Sequence, residues 1–65
     1  MEEVKRDDIM RYFEYKHLSP EKAEISRPFC ELAEWVHNTL PRNAERSTAL
    51  RKLIEAKDCA VRAVI

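Results

Sequence analysis

Residues 40–47, LPRNAERS, constrain this chain most, because they force a sharp turn between two stretches whose apolar residues recur at helical spacing. Pro41 cannot continue a helix, and it biases Leu40 away from helical geometry. Asn43 suits the cap of whatever helix follows. Before the turn, Phe29, Leu32, Ala33, Val36 and Leu40 share one helical face, and residues 44–64 repeat the pattern after it. The chain has no glycine and three prolines. That composition fits an all-α fold whose turns use other residues, and it disfavours the Gly-rich phosphate loops of nucleotide enzymes.

These signals predict a short N-terminal helix followed by an antiparallel helical hairpin, a single domain over residues 1–65. Asp7 and Asp8 are plausible caps for the first helix, with residues 1–6 frayed ahead of them. Ile9, Met10 and Phe13 give that helix an apolar patch. Ser19-Pro20-Glu21 then opens the hairpin: a cap residue, a proline where its missing N–H costs nothing, and an acid at the positive helix end. Pro28 falls within the helical pattern, where it removes a hydrogen bond and crowds the preceding turn. The expectation is a kink near residue 25 or a break into two helices, the second ending near Thr39.

A domain of 65 residues buries only about 60% of its unfolded surface and needs a supplement to its core. Cys30 and Cys59 lie in helical patterns, not in a dense disulfide framework, so a homo-oligomer is the expected supplement. The last helix carries two apolar stripes. Ala49, Leu53, Ala56, Ala60 and Ala63 form one, suited to close helix approach; Leu50, Ile54, Val61 and Val64 form the other, expected to bury against a second protomer. Trp35 lies off the main stripe of its helix and either widens that face or sits at a subunit contact.

Twelve basic and twelve acidic residues give a formal net charge of zero, which argues against DNA binding. No run approaches the ~18 apolar residues of a membrane span, and no charged-then-apolar leader opens the chain, so an intracellular, membrane-free location is expected. His17, His37, Cys30 and Cys59 lack the close spacing of zinc motifs, and neither Ser26 nor Ser47 assembles with a base and orienter. A non-enzyme without metal or cofactor is the expectation.

Two features bear on binding. Tyr12, Phe13, Tyr15, Lys16 and His17 form a dense aromatic and basic cluster, which either staples the segment to the hairpin or stacks on a flat ring such as a nucleobase. Arg42 and Arg46 flank a capped helix start, whose free N–H groups suit phosphate. They equally suit solvated charges, with Glu45 complementing the helix dipole.

The residues Phe29-Cys30-Glu31-Leu32-Ala33, Leu40-Pro41, Glu45-Arg46-Ser47, Ala49-Leu50, Lys52-Leu53 and Glu55-Ala56, with Ala60 and Ala63, resemble the phage anti-CBASS cyclic-oligonucleotide sponges. Their Thoeris-directed relatives share the helical-hairpin domain. Phe13-x-Tyr15 and Pro20-Glu21 are similar to the family's N-terminal part, so the likeness runs from about residue 9 onward. The family's Tyr-His pair stands here as Tyr15-Lys16, and Pro28 falls in what is usually an unbroken helix.

The resemblance implies immune evasion in the host cytoplasm by sequestration without cleavage. It implies a homo-oligomer, typically a homohexamer, with cyclic dinucleotides held between protomers. Cyclic trinucleotides and cyclic ADP-ribose isomers are further ligands it suggests. On this chain the implied pocket would draw on Tyr15 for stacking, Lys16, Arg27 and Arg46 for phosphates, and Ser47 and Thr48 for hydroxyl contacts. A helical protein-interaction module without a small ligand is the competing expectation.

Overall fold

The structure is a computed structural model describing residues 8–64. The expectations for residues 1–6 and for Asp7 as a cap lie outside the described residues. Three helical elements follow one another: a 3-10 helix at Asp8–Phe13, α1 at Pro20–Thr39 and α2 at Ala44–Arg62. No strand occurs among the described residues. Residues 40–43 reverse the chain, so α1 and α2 lie side by side and antiparallel, and the 3-10 helix packs on both.

Local chemistry sets most boundaries. Ser19 holds the cap position of α1 with extended backbone and Pro20 follows in the first turn, although the serine hydroxyl makes no capping bond. At the other end, the Leu40 N–H donates to the Val36 carbonyl at 3.1 Å and the chain turns extended before Pro41. Asn43 caps α2 as its sequence position implies, its Oδ1 accepting from the Arg46 N–H at 2.9 Å.

Neither the kink nor the break expected at Pro28 finds support, because α1 runs as one helix through that residue. Pro28 is exposed, so its ring projects into solvent and water can reach the carbonyl that the missing N–H leaves unpaired. Asp58 and Arg62 stand four residues apart, the spacing of a helical ion pair, yet each makes a different contact. Asp58 lies 3.5 Å from the Lys57 ammonium, and Arg62 donates to the Cys59 sulfur at 3.4 Å.

The core is small. Met10 and Phe13 from the 3-10 helix, Ala33 and Val36 from α1, and Leu50 from α2 are buried together. Ile9, Phe29, Cys30, Ala49, Leu53 and Ile54 pack around them. The two stripes of α2 therefore do not divide between core and second protomer as expected: Leu50 of one stripe is fully buried inside the protomer with Ala49 and Leu53 of the other packed beside it, whereas Ala56, Ala63 and Val64 are exposed. Residues of both stripes meet the core because Met10 and Phe13 of the 3-10 helix supply its third wall.

Ser26 is buried on the core side of α1 and its hydroxyl has no hydrogen-bond partner. A desolvated, unpaired hydroxyl costs about 1–3 kcal/mol, whereas an apolar group of similar shape costs nothing comparable. Ser26→Ala is expected to leave the fold intact and raise stability by about 1 kcal/mol, a Tm increase of roughly 4–8 °C for a domain this size. A lowered Tm in thermal unfolding would show that the hydroxyl is satisfied.

Candidate functional site

A cleft of about 510 Å³ lies between the segment after the 3-10 helix and the flank of α1. Met10, Glu14, Tyr15, Lys16, His17, Cys30 and Glu34 line it. Its volume falls within the roughly 300–1,000 Å³ of small-ligand pockets. The placement follows from the core: Phe13 is fully buried and acts as the staple, which fixes the backbone that carries Tyr15 and Lys16 two and three residues later. Cys30 and Glu34, one helical turn apart, form the opposite wall.

The aromatic cluster thus divides its labour. Phe13 packs in the core and Tyr15 is half-buried in the cleft wall. Tyr12 is exposed, with the Arg11 guanidinium 5.3 Å from its ring centre. The Lys57 ammonium donates to the Tyr12 carbonyl and ties α2 to the 3-10 helix.

Of the six residues singled out from the sequence, Tyr15 and Lys16 share the cleft and the other four lie outside its lining. Arg27 sits about one turn before Cys30, near the same edge of α1. Its guanidinium forks onto Glu24 at 2.9 and 3.1 Å. That pair is exposed at both partners, so it contributes only a few tenths of a kcal/mol and exchanges readily for a stronger anion.

Arg46, Ser47 and Thr48 belong instead to the first turns of α2, at the hairpin's turn. Arg46 is 6% exposed and donates Nη1 to the His37 carbonyl at 2.9 Å. It thereby satisfies one of the carbonyls that the end of α1 leaves without a helical partner. The Thr48 hydroxyl donates to the Ala44 carbonyl at 3.0 Å, while Ser47 is exposed.

Met10, Glu14 and Glu34 are lining residues that the sequence reading did not single out. Glu34 carried a usable signal, standing four residues after Cys30 on α1. The two carboxylates outweigh the single ammonium of Lys16, so the cleft is no plain phosphate sink. His17 and Cys30 meet in this lining, yet no three His, Cys, Asp or Glu residues gather to hold a metal ion among the described residues. No described helix is long and apolar enough to cross a membrane. Compared with protein-family models, curated proteins and solved structures, the chain gives no match.

Proposed function

We propose that this chain is a viral immune-evasion protein that binds cyclic oligonucleotide second messengers and withholds them, uncleaved, from CBASS effectors in the host cytoplasm. The observation that supports this reading best is the cleft in which Tyr15 stands beside Lys16. A nucleobase stacks on the tyrosine ring, and a phosphate of the cyclic backbone meets the lysine. Arg27, about one turn before Cys30 on α1, is the candidate cation for the second phosphate. Glu14 and Glu34 accept from the N–H edge of a base, a role that favours guanine, with adjacent ring and amino donors, over adenine.

Cyclic GMP-AMP is accordingly the model ligand. In this reading the protein works as a homo-oligomer, a hexamer by the family resemblance. Arg46, Ser47 and Thr48 then serve a ligand only where a neighbouring protomer brings the hairpin turn to the cleft. Cyclic ADP-ribose isomers offer the same combination of base and phosphates and would make the protein an antagonist of Thoeris.

Calorimetric titration of wild type and Tyr15→Ala with cyclic GMP-AMP tests the site. Stacking on an aromatic side chain contributes about 1–3 kcal/mol per base, so the variant is expected to lose roughly tenfold or more in affinity while its helical content stays unchanged. Equal affinities in the two proteins would remove Tyr15 from the site. Absence of binding by wild type to cyclic di- and trinucleotides and to cyclic ADP-ribose isomers would favour the interaction-module reading.

A further inference from the structure

One wall of the cleft has little packing of its own to hold it. Glu14, Tyr15, Lys16 and His17 face Cys30 and Glu34 across it. Tyr15 is half-buried and the other three of that wall are exposed. Cys30 and Glu34 are fixed by the continuous hydrogen-bond ladder of α1. The residues opposite follow the end of a 3-10 helix instead, whose hydrogen bonds are poorer than those of an α-helix. The Glu14 N–H donates to the Arg11 carbonyl at 3.3 Å, and the Leu18 N–H closes a turn onto the Tyr15 carbonyl at 3.0 Å. Lys16 and His17 form the corner of that turn.

A further tie comes from behind, from α2. Leu50 is fully buried there, and Leu53 and Ile54 pack on the core. Lys57 stands two turns beyond Leu50 on the same helical face, so a lysine occupies a place where the stripe would take an aliphatic residue. Its side chain is 12% exposed: the methylene stem is covered by protein, and the ammonium donates to the Tyr12 carbonyl. Tyr12 is the second-last residue of the 3-10 helix, where carbonyls run out of helical partners. The Asp58 carboxylate, 3.5 Å from the ammonium, offsets part of its charge. A charged donor held this far from water makes a stronger bond to a carbonyl than a solvated one does.

We propose that Lys57 is a positioning residue of the cleft. By fixing the Tyr12 carbonyl it sets the direction in which the chain leaves the 3-10 helix, and with it the wall that Tyr15, Lys16 and His17 present to α1. Among the described residues α2 contributes nothing to the cleft lining, so Lys57 acts on the site only through the backbone. Phe13 and Lys57 divide the task. One buried ring leaves the backbone able to pivot about it, and a second fixed point on the preceding residue removes the pivot. The effect of Lys57 on affinity rests on the reading of the cleft as a nucleotide site; its effect on the wall does not.

Amide hydrogen exchange, followed by NMR on the full chain without nucleotide, reads the wall. Lys57→Met keeps an unbranched stem that suits a helix and removes the donor. In this variant the Glu14 and Leu18 amides are expected to exchange roughly tenfold faster, the order expected for loss of one hydrogen bond from a charged donor. Ala33 and Leu50, in the middle of the two helices, are expected to keep their rates, because the opening is local. Lys57→Arg retains a charged donor and is expected to restore most of the protection. Unchanged exchange at Glu14 and Leu18 overturns the proposal. Equal acceleration at all four amides overturns it too, since Lys57 would then be a general stabiliser.

Calorimetric titration with cyclic GMP-AMP, at a temperature where every variant is fully folded, reads the site. The apparent Kd rises as the fraction of molecules with the wall in place falls, so Lys57→Met is expected to bind roughly threefold or more weakly and Lys57→Arg close to wild type. A local loosening that leaves the affinity of a binding protein unchanged overturns the positioning role and keeps the sponge reading. A wild type that binds no nucleotide refutes the sponge reading alone, and the exchange pattern then decides the part of Lys57 by itself.

Discussion

Phe13→Ala is expected to unfold the protein at room temperature. Phe13 is fully buried and belongs to a core that, among the described residues, holds five buried apolar side chains, Met10, Phe13, Ala33, Val36 and Leu50. Removing a buried phenylalanine costs about 3–5 kcal/mol in transferred area and residual cavity. A single core of this size rarely supplies more than about 3–5 kcal/mol in total. The loss therefore matches the whole stability of the domain, and the helical circular dichroism signal at 25 °C is expected to collapse.

Phe13→Leu keeps most of the volume and is expected to remain folded with a lowered Tm. A cooperative transition in the alanine variant close to that of wild type would mean that the N-terminal segment does not hold the hairpin together. It would also remove the support beneath Tyr15 and Lys16.

Arg46→Ala is expected to destabilise the fold by about 2 kcal/mol, because hydrogen bonds made by charged groups contribute roughly 1.5–3 kcal/mol and the His37 carbonyl would lose its donor. For a domain of this length that is a Tm decrease on the order of 10 °C. Arg46→Lys is expected to recover only part of it, since an ammonium lacks the planar fork of the guanidinium. Thermal unfolding without nucleotide separates the two roles open to this residue. A large Tm loss assigns Arg46 to closing the hairpin; an unchanged Tm with weakened nucleotide binding would return it to the ligand.

The contrast between Arg46 and Asn43 shows what the sequence could convey. Asn43 acts on a backbone group three residues away, so its capping role is written in local order. The same holds for Ser19-Pro20 and for the halt at Leu40-Pro41. Arg46 reaches back nine residues to a carbonyl of the other helix, and nothing local distinguishes it from a solvated charge. Its burial depends on the orphan carbonyls at the end of α1 meeting the start of α2.

The choice between the stripes of α2 was likewise beyond local reading. Both are apolar, and both split between core and surface according to what the 3-10 helix lays across the hairpin. That Pro28 does not break α1 has a different reason: the rule against internal proline weighs the lost hydrogen bond, and exposure at that position lightens the cost. The cleft was half visible. Tyr15 and Lys16 announced themselves as neighbours, whereas Glu34 and Cys30 join them only once Phe13 is seated.

The central claim, retention without chemistry, is tested most directly by native mass spectrometry followed by recovery of the ligand. The protein is mixed with cyclic GMP-AMP at micromolar concentration, freed of unbound nucleotide, weighed intact and then heat-denatured, and the released material is analysed by liquid chromatography. A nucleotide-laden assembly that releases cyclic GMP-AMP unchanged is the predicted result. Release of a linear dinucleotide or mononucleotides would make the protein a phosphodiesterase, and an assembly that carries no nucleotide would contradict the account outright.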